Sequence, residues 1–157
     1  MQHRMKEFTM KKEAVDKLLA KQSAGTISTN GSDGYPYTVA VHFVCLDGKI
    51  YFHGLPAGEK LENIRQNPKV CFYIYKLTGI ISENIEIPCK ADAEYESVCI
   101  RGNASIMHDD SRKRFILGKI VEKYTPDLAA SDIPDSMVSG TAVVEITPES
   151  ITGKYHA

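Results

Sequence analysis

The spacing of hydrophobic positions divides the chain into short elements of changing period. Val15, Leu18, Leu19 and Gln22 recur at helical intervals after Thr9, with Gly25 just beyond, and predict an amphipathic helix over 10–22. From Gly25 the pattern turns strand-like. Thr26-Ile27-Ser28-Thr29 and the run Tyr35 to Leu46 flank Asn30-Gly31-Ser32-Asp33-Gly34, as in a hairpin. Asp47-Gly48 predicts a second hairpin turn, leading into a strand over Lys49 to His53. These local turns make the strands antiparallel. Leu61 and Ile64, three apart and followed by Asn67-Pro68, predict a two-turn helix over Gly58 to Gln66. A strand follows over Lys69 to Tyr75.

Residues Leu77 to Ala93 show no sustained period and read as a long loop. Tyr95 to Ile106 alternates cleanly, with Val98, Ile100, Gly102, Ala104 and Ile106 on one face and Ser97, Cys99, Arg101 and Asn103 on the other. Asp109-Asp110 caps a helix over Ser111 to Tyr124, whose stripe is Ile116, Leu117, Ile120, Val121 and Tyr124. Asp127 to Ser139 reads as irregular or briefly helical. A last strand covers Thr141 to Ile146, ahead of Thr147-Pro148. Short strands with local connections and few helices predict a mainly β (α+β) fold, an antiparallel barrel or sandwich with peripheral helices.

Composition narrows the function classes. A length of 157 residues suits one domain over 1–157, and 43% hydrophobic with 25% charged residues describes an ordinary globular chain. Nineteen basic against 20 acidic residues leave a balance of -1, with no global attraction to nucleic acid or an anionic membrane. No apolar run approaches a bilayer span, and Met1 to Lys12 lacks a secretory h-region, so a cytoplasmic protein is expected. Cys45, Cys71, Cys89 and Cys99 are widely spread and predict no metal site. Cys45, Cys71 and Cys99 fall in strand-like runs, as small buried hydrophobes do.

The motifs of hydrolases, P-loop enzymes, dinucleotide-binding folds and zinc proteases are missing from the sequence. What remains is His53-Gly54-Leu55-Pro56-Ala57-Gly58-Glu59-Lys60, a strand end joined to a helix start. First-turn amides and Lys60 can bind an anion there. A solvated surface lysine is the other reading. His42 and His53 on successive strands can line one pocket, or each can be an ordinary hydrogen-bonded imidazole.

Tyr35-Pro36-Tyr37, Val39-Ala40-Val41-His42-Phe43, Ile50-Tyr51-Phe52-His53-Gly54, Gly58-Glu59-Lys60 and Asn67-Pro68-Lys69-Val70-Cys71-Phe72 resemble, in that order, the FMN-binding split-barrel proteins. Tyr95-Glu96-Ser97-Val98, Arg101-Gly102-Asn103-Ala104, Lys123-Tyr124-Thr125-Pro126 and Ile151-Thr152-Gly153-Lys154 extend the likeness over nearly the whole chain. It is most similar to the nitroimidazole-resistance (Nim-like) branch of the pyridoxamine 5'-phosphate oxidase-related proteins. The resemblance implies a six-stranded antiparallel split β-barrel and a homodimer holding FMN at the subunit interface. It implies that the backbone of Thr38, Val39, Ala40, Val41 and His42 runs along the flavin ring, with Phe52 and His53 beside the ribityl chain and phosphate. Gly58 and Lys60 then hold the phosphate, and Tyr95, Ser97 and Val98 approach from the second subunit. His53 and His42 are the candidate catalytic residues toward a small-molecule substrate. The family often has arginine at Glu59, and Pro and Asn at Ala40 and His42. Flavin-dependent oxidation or reduction, and flavin binding without turnover, are both compatible with these residues.

Overall fold

The computed structural model describes residues 7–156; the basic N-terminal stretch read above begins outside them. Seven strands form one antiparallel sheet: β1 (Gly25–Asn30), β2 (Pro36–Val41), β3 (Phe43–Leu46), β4 (Lys49–Gly54), β5 (Lys69–Ile81), β6 (Asp92–Ile106) and β7 (Ala142–His156). Four helices lie wholly within the described residues: α1 (Lys12–Lys21), α2 (Glu59–Gln66), α3 (Asp110–Tyr124) and α4 (Asp135–Ser139).

The order across the sheet is β2-β1-β5-β6-β7-β4-β3. Its two ends are therefore consecutive pieces of one segment, separated only by His42. The expected single strand from Tyr35 to Leu46 is broken at that residue. Its first half pairs with β1 (Val41 opposite Gly25) and its second half with β4 (Phe43 opposite Phe52). This accounts for seven strands where six were expected, and it closes the sheet into a barrel. Breaking the ladder exposes backbone groups that need other partners. The C-terminal end of α3 supplies them. The Phe43 amide donates to the Tyr124 hydroxyl (2.8 Å), and Lys123 Nζ donates to the Phe43 carbonyl (2.9 Å).

Inward-facing residues of the strands fill the barrel. Phe43, Phe52 and Phe72 are fully buried, and α1 and α2 add Leu18, Leu19 and Leu61 to the same core. Burying each such side chain stabilises the fold by about 1.5–3 kcal/mol. A second core lies outside the sheet, where Val44, Tyr51 and Val143 pack against Ile116, Leu117 and Ile120 of α3. Successive residues of β4 thus serve different cores, Tyr51 the outer and Phe52 the inner, as the pleat requires. Glu145 fastens α3 to this outer face by accepting hydrogen bonds from Lys49 (2.7 Å), Tyr51 (2.9 Å) and Arg112 (2.7 Å).

The region read as a loop over Leu77 to Ala93 is a loop from 82 to 91 and strand at its two ends. Strand β5 continues to Ile81, and Leu77 to Ile81 run opposite Tyr95 to Asp92 in an arm closed by a 3-10 turn at Pro88–Lys90. The last strand likewise does not stop at Pro148. Pairing shifts register there, with Gly102 opposite Pro148 and Arg101 opposite Ser150, and β7 runs on to His156. A bulge admits the proline without ending the strand. Gly102 is required at this place, since a Cβ on it would lie 2.2 Å from the Thr147 carbonyl oxygen.

Candidate functional site

His53 is the penultimate residue of β4, opposite Val143 of β7, and its side chain shares the outer face with Tyr51. Its Nδ1 is buried and has no hydrogen-bond partner. Burial, and then the neighbouring His42, push this imidazole below its ordinary value of 6.5. An orphaned buried nitrogen costs free energy unless something binds it. His42 sits at the strand break, exposed, with its ring centroid 5.0 Å from that of Tyr124.

Beyond Gly54 the chain turns through 55–57 into α2. Gly58 holds φ at 132°, a conformation that favours glycine, and offers no side chain to cap the helix. The first-turn amides of Glu59 and Lys60 consequently have no carbonyl inside the helix to receive them. Lys60 folds back over the turn, so that a Cβ on Gly54 would meet its Nζ at 3.4 Å. Among the described residues, Lys60 Nζ has neither a hydrogen bond nor an ion pair. Helix α2 is held in place from below, where buried Asn63 donates to Thr29 of β1 (3.0 Å). An ammonium and free amides thus border one turn, a donor set suited to a phosphate or similar anion, while the His53 ring stands at its start on the other face of β4 from Gly54. Glu59 is exposed beside them.

Strand β2 forms one end of the sheet, so the backbone edge of Thr38 to Val41 is paired on one side only. Thr38 and Ala40 face outward, while Val39 and Val41 face the barrel core. The free edge and the small outward residues can take a planar, hydrogen-bonding ligand. Phe52 lies wholly inside the barrel and meets nothing outside it.

Tyr95 and Ser97, on β6, sit elsewhere in the chain. They line a concavity of about 580 Å³ on the outer face of β5, β6 and β7, with Tyr73, Tyr75, Arg101 and Lys154. Tyr75 and Tyr95 stack at 5.5 Å. Val98 is directed into the barrel with no exposed surface. Among the described residues no group of three or more His, Cys, Asp and Glu is placed to hold a metal, and no helix is long and apolar enough to cross a membrane.

Spacing could not have found the clamp of Lys123 and Tyr124 on the strand break, because its partners lie about 80 residues apart. The outward tyrosines did leave a signal, since Tyr73 and Tyr75 alternate with the buried Phe72 and Ile74.

A closed antiparallel sheet whose end strands are one broken segment defines a split-barrel protein. Residues 11–155 match the family model described as pyridoxamine 5'-phosphate oxidase, and the chain belongs to that family. No curated protein sequence matches it. Among solved structures it is similar to a candidate 5-nitroimidazole antibiotic resistance protein from Bacteroides thetaiotaomicron. They share 24% identity with a TM-score of 0.82, over 93% of this chain and 85% of that one. It is also similar to the flavocytochrome Anf3 of Azotobacter vinelandii (17% identity, TM-score 0.86, 99% and 72% covered). A FAD and heme binding protein of Mycobacterium smegmatis gives 17% identity and a TM-score of 0.82, with 92% and 71% covered.

Proposed function

We propose that this chain is an FMN-dependent oxidoreductase that works as a homodimer on a small electron-accepting substrate. The observation that carries the reading is the turn between β4 and α2, with the orphaned His53 Nδ1 and the unpaired Lys60 ammonium. The Lys60 ammonium lacks the partner that a phosphate monoester would be. In this reading Gly58 and Lys60 hold the phosphate, His53 lies beside it, and the free edge of Thr38 to His42 takes the ring. FMN, when bound, supplies two-electron chemistry; the protein supplies position and charge. His42 and His53 are the groups available to move a proton on this side.

The similar proteins include a flavocytochrome, a FAD and heme binding protein and a candidate nitroimidazole resistance protein, which supports a flavin and makes nitro compounds the first substrates to try. FMN is favoured over FAD because the anion site is one short turn and the sequence holds no dinucleotide fingerprint. The dimer is favoured by the aromatic face of β5, β6 and β7, where Tyr73, Tyr75 and Ile151 are 40%, 48% and 46% exposed. Tyr95 and Ser97, too far round the barrel to join the His53 turn in one protomer, then serve the partner's site.

The test is the visible spectrum of the purified protein, followed by heat release of the chromophore and its identification by mass. FMN, or its uptake on reconstitution, is expected. FAD, or no flavin uptake, overturns the reading.

A further inference from the structure

The break at His42 leaves backbone on both sides of it to be held, and one side chain of α3 reaches both. The Tyr124 hydroxyl accepts from the Phe43 amide (2.8 Å) and lies 2.8 Å from the carbonyl oxygens of Phe43 and Ser23. A phenol has one proton to give. Lys123 Nζ already donates to the Phe43 carbonyl (2.9 Å), which leaves that proton for Ser23. Ser23 stands just ahead of Gly25, the partner of Val41 at the end of β2, and Phe43 opens β3. The hydroxyl thus spans the split, tying the β1–β2 side to the β3–β4 side. The Tyr124 ring meanwhile packs on His42 itself, with 5.0 Å between centroids and 42° between planes.

The direction in which β2 enters the break decides where the free edge of Thr38 to Val41 points. Strand β2 is paired with β1 alone, so its other side takes its bearing from the break. That bearing matters for a ligand, because a hydrogen bond weakens steeply once its angle falls below about 120°. Helix α3 is a firm support for it, since Ile116, Leu117 and Ile120 fix the helix to the outer core.

We propose, resting on the flavin reading, that Tyr124 is a positioning residue for the flavin ring: its hydroxyl sets the edge of β2 and its aromatic ring sets His42. The break lies at the two ends of the sheet, away from the aromatic face at its middle, so a second copy seated on that face leaves this device untouched. Phenylalanine at 124 keeps the ring against His42 and loses only the hydroxyl. Its effect therefore isolates the backbone edge. All flavins share the ring system, whereas riboflavin lacks the phosphate and lumiflavin lacks both the phosphate and the ribityl chain.

Lumiflavin, riboflavin and FMN are titrated by flavin fluorescence against the parent and Tyr124→Phe, at a temperature where circular dichroism shows both fully folded. The expected result is an equal loss for all three in the variant, about tenfold, as for one misdirected hydrogen bond. A purely structural role lowers the denaturant midpoint and leaves the three affinities unchanged, and a loss confined to FMN puts Tyr124 at the phosphate; either result overturns the proposal. A parent that binds none of the three overturns the flavin reading, and the proposal with it. Should Tyr124→Phe not fold, the parent alone decides. In its amide nitrogen–proton NMR spectrum, lumiflavin should move the resonance of the Phe43 amide, which is bonded to Tyr124, together with those of Thr38 to Val41. Movement at 38–41 with Phe43 unmoved overturns the proposal.

Discussion

At the scale of single residues, Lys60 and His53 make separable predictions. Lys60→Ala removes one charge-assisted contact to the phosphate, and FMN affinity should fall by about one to two decades, or roughly 1.5–3 kcal/mol. Riboflavin, which has no phosphate, should bind the variant and the parent alike. Equal losses in a fluorescence-quenching titration would place Lys60 away from the phosphate. His53 acts through its proton. Because burial and His42 hold its pKa below 6.5, the unfolded chain binds more protons than the folded one as pH falls past that value. The stability tied to the neutral imidazole is therefore complete above about pH 6.5 and is lost progressively on the acid side. The urea midpoint should drop less between about pH 7.5 and about pH 5.5 in His53→Gln than in the parent. A bound phosphate has the opposite effect and favours the protonated ring. FMN should thus bind more tightly as pH falls toward 6, and this slope should flatten in the same variant.

At the scale of elements, the break at His42 and the bulge at Gly102 each depend on one group. Tyr124→Phe leaves the Phe43 amide without its acceptor, and should cost about 1–3 kcal/mol in a denaturant titration. Gly102→Ala drives a methyl group into the Thr147 carbonyl and should cost about 3 kcal/mol or more, the upper end of overpacking. An unchanged midpoint in either variant would mean that the strand can shift to make room. The same two places show what the sequence discloses. Alternation is legible where one face is buried, as from Val98 to Ala104, and the helices over 12–21, 59–66 and 110–124 follow from their stripes and stops. The arm over 77–95 was not legible, because Leu77 and Ile80 are exposed there and no core imposes a period. The break at His42 was invisible for another reason. Alternation continues through it, and only the hydrogen bonds change partner. The junction of strand end and helix start at 54–59 was legible from its glycines, whereas the missing partner of His53 Nδ1 needed coordinates.

At the scale of the whole molecule, the aromatic face of β5, β6 and β7 predicts the assembly. Sedimentation at micromolar concentration should give twice the chain mass, and Tyr75→Arg, which sets a charge in the middle of that face, should give the single chain. A single chain that still binds one flavin tightly would remove the partner roles given to Tyr95 and Ser97. Closure of the barrel through one broken strand also bears on how the molecule opens. In an open sheet the end strands can fray independently, each at its own small free energy. Here β2 and β3 are joined by a single residue, and that junction is bolted to the end of α3. Loosening either seam pulls on the other. Amide hydrogens of β1 bonded to β2, and those of β4 bonded to β3, should therefore exchange with deuterium at matching rates and slow together when a ligand seats along 38–42.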